Sequence, residues 1–145
     1  MTPTQLRITY VVFALHGVAT YKQVSEPVLA QEIFERLRQA TARNPDVLAE
    51  LCRDYVSEAR NTISQLRAAL AQGNAAEFRE RAHYLKGSSM MIGAQELSQC
   101  CAILERRGRD SDLAPAAAEL EQASAALLGV EAELSQELGP TALPD

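Results

Sequence analysis

Residues 73–93 read GNAAEFRERAHYLKGSSMMIG and carry signals for the start, the buried face and the end of one helix. Gly73 suits the left-handed conformation that ends a helix, and Asn74 with Glu77 has the spacing of a capping box that begins the next one. Gly93 marks the end of this helix. Apolar spacing predicts a core stripe made of Phe78, Ala82, Leu85, Ser89 and Ile92. These signals predict which side chains point outward.

The outward face carries a histidine, a lysine and a glycine. His83, Lys86 and Gly87 are surface neighbours, because residues three and four apart lie side by side on a helix. His83 is about 100° of rotation from the core stripe, so we expect its ring to be at least partly exposed. A neutral imidazole can attack a phosphoryl group or bind a metal, and an ammonium is a point charge for phosphate. A glycine beside a nucleophile leaves room for a second surface.

Each of these residues also has an ordinary interpretation. A lone histidine, lysine or serine on a helix surface needs no function. Gly87 would equally allow two helices of the same chain to pack closely. The spacing alone leaves both interpretations open.

The same helix begins a longer pattern. It consists of AHYLKGSS at 82–89, then Gly93, Ala94, Leu97, Cys101, Leu104 and Glu105. This pattern resembles the signature of the histidine-containing phosphotransfer domain of multistep phosphorelays. The match is ungapped over 81–109, and the surrounding helices fit over roughly 25–128.

The resemblance implies an all-α fold, an antiparallel up-and-down four-helix bundle with one or two additional N-terminal helices or a segment as a cover. The composition also favours helices, since 47% of residues are apolar, only 5% are aromatic and there is no tryptophan. We expect an apolar extension at 1–24, a helical bundle at 25–139 and a C-terminal tail at 140–145.

In such domains an exposed histidine takes a phosphoryl group from the aspartyl phosphate of a receiver domain and passes it to another receiver aspartate. The resemblance therefore implies that His83 is the phosphoacceptor, that Lys86 neutralises phosphoryl oxygens and that Gly87 clears space for the receiver. The sequence has no GxxxxGK[ST] phosphate loop and no glycine-rich dinucleotide fingerprint. We expect a phosphoryl carrier and not an enzyme, with no cofactor of its own and any divalent ion on the partner receiver.

Three residues are expected to support His83. Glu105 stands where the family often has Gln or Glu, which implies that it holds the other ring nitrogen; a solvated surface charge is the alternative. Ser88 and Ser89 are expected to be structural. Ser89 lies on the core stripe, where its hydroxyl can bond to a carbonyl one turn earlier.

Five further residues are candidates for partner binding, namely Arg79, Tyr84, Met90, Met91 and Arg109. The arginines are either docking charges or solvated side chains. The other three form an apolar ring around the histidine, although Met91 is equally compatible with the core. The resemblance implies that the partners are response-regulator receiver domains, hybrid histidine kinases or both.

Charge and cysteine usage limit the other possibilities. The net charge of -5 argues against nucleic-acid binding. Cys52, Cys100 and Cys101 are an odd number without disulfide spacing, which favours a reducing, cytoplasmic location. No CxxC pair is available for a metal site with His83. The apolar stretch 6–15 is too short to span a bilayer, so we expect no membrane association.

Further signals predict the other helices. One is expected to start at 25–27 and run to about residue 40, and another to run from 44–46 to about residue 72. Gly108 is expected to end the fourth helix, residues 110–112 to cap the last one, and residues 139–140 to stop it.

Two apolar stripes define the expected buried faces of the longest helices. In the second helix the residues of the stripe are Leu48, Leu51, Tyr55, Ala59, Ile63, Leu66 and Leu70. In the last helix the residues of the stripe are Leu113, Ala117, Leu120, Ser124, Leu127, Leu134 and Leu138. Their near-heptad spacing in the last helix favours bundle packing and leaves a coiled-coil dimer open, so the chain is a monomer or a homodimer.

Two other functions remain open at this stage. The same surface would serve a receiver-binding regulator or a phosphate sink without onward transfer. A helical dimerisation module, driven by the N-terminal segment and the last helix, is the structural alternative.

Overall fold

The computed structural model describes the backbone of residues 8–15 and 18–25 and the whole of residues 27–145. It begins with a β-hairpin, in which β1 (Ile8–Leu15) pairs antiparallel with β2 (Val18–Ser25). Five helices follow within the described ranges. They are α1 (Gln31–Ala40), α2 (Pro45–Ala71), α3 (Ala75–Ile92), α4 (Gln95–Arg109) and α5 (Ala116–Leu138).

The four long helices form a closed bundle. α3 packs against α4 and α2, and α5 packs against the same two helices on the other side. Short connections make sequential neighbours antiparallel, and α1 covers part of α2 and α3. The expected all-α four-helix bundle is therefore confirmed, and the hairpin precedes it.

The core stripe of α3 is buried as its spacing predicts. Phe78, Ala82 and Ser89 have no exposed surface, and Leu85 and Ile92 are at most 2% exposed. Burying one leucine or phenylalanine side chain stabilises a fold by about 1.5–3 kcal/mol. This stripe therefore fixes the rotation of α3 about its own axis.

The ends of α3 are also those that the sequence predicts. The Asn74 side chain accepts a hydrogen bond from the Glu77 backbone N–H at 3.1 Å. Gly73 and Gly93 have φ values of 65° and 87°, the left-handed region that glycine occupies without strain. α3 is thus held at both termini as well as along its buried face.

The predicted start of α1 at 25–27 is wrong, because the helix begins at Gln31. The backbone N–H groups of Val28 and Leu29 both donate to the Glu133 carboxylate of α5, at 2.5 and 3.1 Å. These amides are therefore bound by another helix while the chain is still extended. A tertiary contact replaces the local capping signal.

The predicted cap of α5 at 110–112 is also wrong. α5 begins at Ala116 after Pro115, with no side-chain cap. Asp112 instead binds Arg107 of α4 at 2.9 Å. The carboxylate that the pattern assigns to the last helix therefore fixes the end of the preceding one.

For two positions, the residue predicted to face the core is one residue away from the residue that is buried. Leu51 is 40% exposed and its neighbour Cys52 is fully buried, and Ala117 is exposed while Ala116 is buried. One residue is about 100° of helical rotation, which is enough to move a side chain from the core to the surface.

Gly108 allows α3 and α4 to approach closely. It lies inside α4, which continues to Arg109, so the expectation that it ends the helix is wrong. A Cβ atom at this position would be 2.7 Å from the Arg79 backbone nitrogen and 2.8 Å from its Cα. Only a residue without a side chain fits between the two backbones.

The N-terminal extension expected at 1–24 overlaps the hairpin. The side chains of these residues lie outside the described part of the chain, and so does the predicted packing of this segment on the bundle or on a second copy. In the region that is described, no helix is both long enough and apolar enough to cross a membrane.

We expect Gly108→Ala to destabilise the protein by about 1–3 kcal/mol, because the added methyl group overlaps the backbone of α3. Gly87→Ala is the matched control, since this second glycine also lies inside a helix but has open space where the methyl group would be. It should gain up to about 1 kcal/mol from helix propensity. Urea denaturation measures both, and a Gly108→Ala variant as stable as the wild type would contradict the close approach.

Candidate functional site

His83 projects from the middle of α3 into solvent. Its side chain is 69% exposed, as expected from its position beside the core stripe. Because the caps and the buried stripe fix the rotation of α3, the ring of His83 lies on the side of the helix that faces α4.

A buried carboxylate on α4 contacts the inner edge of the histidine ring. Glu105 has only 8% of its side chain exposed, and its Oε1 lies 3.0 Å from Nδ1 of His83. The Lys86 ammonium donates to the other carboxylate oxygen, and Arg109 approaches Oε1 at 3.4 Å. Glu105 of α4 therefore contacts both His83 and Lys86 of α3.

The ionisation of Glu105 follows from these contacts. The hydrogen bond from Lys86 lowers the pKa of the Glu105 carboxyl most strongly, burial opposes it, and the bond to His83 lowers it further. A carboxylate with a lowered pKa is charged throughout the neutral range. It can then act only as a hydrogen-bond acceptor.

This contact decides which ring nitrogen is available. Because ionised Glu105 only accepts hydrogen bonds, we assign the hydrogen of the neutral ring to Nδ1 of His83. Nε2 then has a free lone pair and lies on the solvent side of the ring. The geometry therefore presents one nucleophilic nitrogen to an approaching partner.

Lys86 lies deeper than an ordinary surface lysine. Its side chain is 28% exposed, and its ammonium binds Glu105. Its charge is thus held on the inner side of the site, one helical turn from His83.

Gly87 is exposed and faces open space. A Cβ atom added to it would meet no atom of residues 27–145 within 4 Å, in contrast to Gly108. The interpretation that Gly87 allows close packing of helices within this chain is therefore wrong. Its lack of a side chain leaves a clearing next to the histidine.

Ser89 has a different hydrogen-bond partner from the one expected. Ser89 is fully buried as predicted, but its hydroxyl pairs with the hydroxyl of Tyr55 on α2 at 2.9 Å. Ser88 makes the bond to a carbonyl of the preceding turn, at 3.2 Å from Leu85 O. The expected bond of Ser89 to its own helix is replaced because a neighbouring helix offers a partner.

Exposed apolar side chains surround the histidine on α3. Tyr84, Met90 and Met91 are 49%, 58% and 75% exposed, so the interpretation of Met91 as a core residue is wrong. The hydroxyl of Tyr84 donates to the Glu58 carboxylate of α2. Sequence reasoning missed Glu58, because nothing in the local pattern of α2 indicates a partner on α3.

α2 adds two more exposed apolar residues that sequence reasoning missed. Val47 and Leu51 are 41% and 40% exposed. Since the Tyr55–Ser89 pair sets the register of the antiparallel α2 and α3, Leu51 lies at the end of the pair where Met91 is found. The apolar periodicity of α2 predicts Leu51 in the core, and no local signal indicates that it is exposed.

Arg79 and Arg109 lie at the other end of the site. Both are exposed, and the close contact of Gly108 with the Arg79 backbone brings the two arginines to the same end of the α3–α4 pair. His83, Gly87 and the five partner-binding candidates are thus exposed, Lys86 and Ser88 are half-buried, and Glu105 and Ser89 are buried.

Within the described part of the chain, His83 lines neither of the two main surface grooves. Two shallow grooves lie elsewhere, one between Arg60 of α2 and Leu128 of α5, and one near Ile103 and Arg107. Sites for small molecules are concave, so an exposed ring suits a protein partner. Among residues 27–145, no group of three His, Cys, Asp or Glu side chains could hold a metal ion.

A family model described as the Hpt domain matches residues 50–138, which contain His83, Lys86, Gly87 and Glu105. The chain belongs to the Hpt domain family. It is a histidine phosphotransfer protein of a phosphorelay, and Hpt proteins are phosphoryl carriers and not kinases.

Solved structures agree with this assignment. Histidine-containing phosphotransfer protein B from Pseudomonas aeruginosa is 30% identical to this Hpt chain, with a TM-score of 0.71, and the match covers 79% of this chain and 96% of that one. No curated protein sequence matches the chain.

Two more distant structures share the Hpt fold. Saccharomyces cerevisiae Ypd1, crystallised with the receiver domain of its downstream response regulator Ssk1, is 19% identical, with a TM-score of 0.72 and coverage of 76% of this chain and 93% of that one. A putative histidine-containing phosphotransfer protein from rice is 20% identical, with a TM-score of 0.70 and coverage of 77% and 79%.

Glu105→Gln should change the tautomer of His83. The amide is neutral and offers both a donor and an acceptor to Nδ1, so it no longer requires a hydrogen there. We expect wild-type His83 to be protonated on Nδ1 at pH 8 and the variant to gain the Nε2-protonated form. Nitrogen-15 chemical shifts of the ring measure this, and identical tautomers in both proteins would exclude a role for the Glu105 charge.

Proposed function

We propose that His83 is the phosphoacceptor of this Hpt protein and that it reacts through Nε2. The observation that carries the proposal is a 69% exposed ring whose Nδ1 is bound to buried Glu105. The group would come from the aspartyl phosphate of a receiver domain and pass to the aspartate of another receiver.

The main contribution of the helical bundle to phosphoryl transfer would be to position the histidine ring. Phosphoryl transfer depends mainly on alignment and on neutralising charge in the transition state. Glu105 holds the ring at one edge and leaves the lone pair of Nε2 directed outward, so no proton has to be removed before attack. The partner receiver would supply the acidic pocket and the divalent ion.

Lys86 would neutralise the incoming phosphoryl oxygens. Its flexible side chain is one turn from His83 and partly exposed, and it starts from a contact with Glu105. When the dianionic phosphoryl group arrives, it competes with Glu105 for this ammonium. Lys86 would thus bind Glu105 before the reaction and the phosphoryl group of the product after it.

The partner would dock on the face around His83. Gly87 leaves a clearing, while Tyr84, Met90 and Met91 offer exposed apolar surface, and methionine adapts to more than one partner. Arg79 and Arg109 at the edge of this face would attract the acidic surroundings of a receiver aspartate. Crystallisation of the related Ypd1 with a receiver domain supports this class of partner.

Several finer assignments belong to the same proposal. The chain acts without ATP, and its donor in the phosphorelay is a protein, either a response regulator or a hybrid histidine kinase. Its three free thiols, two of them buried, suit a reducing, cytoplasmic location. The functional unit is the bundle at 25–139, between an extension at 1–24 and a tail at 140–145.

His83→Gln should abolish phosphoryl acceptance and leave the free energy of unfolding within about 0.5 kcal/mol of wild type, because the ring is exposed. The measurement is transfer of acid-labile label from a panel of receiver domains phosphorylated on aspartate. His16→Gln, which replaces the only other histidine, is the matched control and should accept label normally.

Three outcomes would overturn the assignment. They are labelling of the His83→Gln variant, labelling of the wild type by ATP alone, and no labelling of the wild type by any receiver. Label that reaches the wild type but never moves on to a second receiver would instead identify a phosphate sink.

Lys86→Ala should slow acceptance by about tenfold without abolishing it, since one charge-assisted hydrogen bond contributes about 1.5 kcal/mol. Lys22→Ala removes the only other lysine and is the control. Initial rates of label transfer measure the effect. A rate equal to that of the control would make Lys86 a purely structural partner of Glu105.

A further inference from the structure

The contact between Glu105 and Nδ1 has a consequence for the phosphorylated state, and the inference rests on the proposed function. In the proposed step the lone pair of Nε2 forms the P–N bond, and the P–O bond to the donor aspartate breaks. The aspartate leaves as a carboxylate. Since Nδ1 keeps its hydrogen, the product ring is a phosphorylated imidazolium, and no proton is transferred.

The later fate of this hydrogen controls how easily the phosphoryl group leaves. If Nδ1 stays protonated, the acceptor carboxylate attacks phosphorus and the electrons of the P–N bond return to Nε2, which gives a neutral imidazole. If Nδ1 loses its proton, the same cleavage produces an imidazolate anion. An anionic leaving group departs far more slowly, so the protonated ring is the reactive donor.

In the structure, a negatively charged carboxylate contacts the nitrogen that carries this hydrogen. The Glu105 carboxylate lies 3.0 Å from Nδ1 and is 8% exposed, so little solvent lies on its side of the contact, whereas the ring itself is 69% exposed. Lys86 binds the other carboxylate oxygen in this structure, and a glutamate is ionised at neutral and alkaline pH even when such a contact is lost. A glutamine would accept the same hydrogen bond but bring no charge to the ring.

Other charged groups near the ring modify this effect without replacing it. Lys86 and Arg109 are cations and oppose protonation of the ring, although both are already bound to Glu105. Glu80 and Arg79 precede His83 by three and four residues on α3, are exposed and have opposite charges. On α2, Glu58 is bound to Tyr84. Glu105 is the carboxylate in contact with Nδ1.

We infer that Glu105 is a positioning residue which keeps Nδ1 of phosphorylated His83 protonated into the alkaline range, so that the phosphoryl group remains readily transferable there. The carboxylate thus does more than orient the ring before the reaction. It stabilises the cationic form of the product and keeps it from becoming an inert store of phosphate.

The full chain can be tested without a partner protein. Phosphoramidate serves as the small-molecule phosphoryl donor, and phosphorus-31 NMR follows the phosphohistidine between pH 6 and 10. Two quantities are measured, the pH midpoint at which the phosphorylated ring titrates and the rate of phosphoryl loss. Glu105→Gln is compared with Glu96→Gln, an exposed glutamate on the same helix about 13 Å away along its axis.

We expect the midpoint of the wild type to lie at least about one pH unit above that of Glu105→Gln, as is typical of a contact with one opposite charge. Above both midpoints, phosphoryl loss should then be about tenfold slower in Glu105→Gln. Glu96→Gln should match the wild type in both quantities. A merely structural role for Glu105 would not move the titration in this direction.

A second variant separates charge from folding. Lys86→Met removes a cation and should raise the midpoint, opposite in sign to Glu105→Gln, so it remains informative if the latter does not fold. Equal midpoints in the wild type and Glu105→Gln, or a lowered midpoint in Lys86→Met, would overturn the inference. A wild type that forms no phosphohistidine at residue 83 would overturn the proposed function itself.

Discussion

The site depends on one buried carboxylate that is shared between two helices. Glu105 of α4 binds both His83 and Lys86 of α3, and it is the only charged side chain from residue 27 onward that is buried. A buried charge costs several kcal/mol unless it has partners, and here Lys86, Arg109 and Nδ1 of His83 supply them for Glu105. The same requirement orients the histidine and confines the lysine, which ties the stability of the α3–α4 contact to the chemistry of the exposed ring.

This arrangement needs helices that lie close together. Gly108, one turn beyond Glu105 on α4, lets the backbone of α4 come against Arg79 of α3. A larger residue would push the helices apart and lengthen the path from Glu105 to the ring. The two glycines thus have opposite effects. Gly108 allows α3 and α4 to pack closely, whereas Gly87 leaves open space on the outer surface of α3.

The outer face is built differently from the inner one. Inside, the two buried polar side chains of the site, Glu105 and Ser89, have partners on neighbouring helices. Outside, Met90 and Met91 are more than half exposed, about two turns from His83 along α3. A rigid inner edge and an adaptable apolar rim together suit a carrier that meets more than one partner, because orientation comes from the bundle while fit comes from flexible side chains.

Local sequence alone determined α3 and its outward residues. Capping at Asn74, the left-handed glycines and a regular apolar stripe all act within a few residues, so their outcome does not depend on the rest of the chain. The resemblance of residues 82–105 to a known family added the bundle and the candidate role of Glu105, which no local pattern contained.

The tertiary structure decided what depends on distant partners. The start of α1 is set by Glu133, more than a hundred residues away, and the hydroxyl of Ser89 turns to Tyr55 instead of its own helix. The exposure of Leu51 and the open space at Gly87 likewise follow from how whole helices rotate and pack. Sequence patterns report short-range preferences, whereas burial and hydrogen-bond partners are fixed only when separate helices meet.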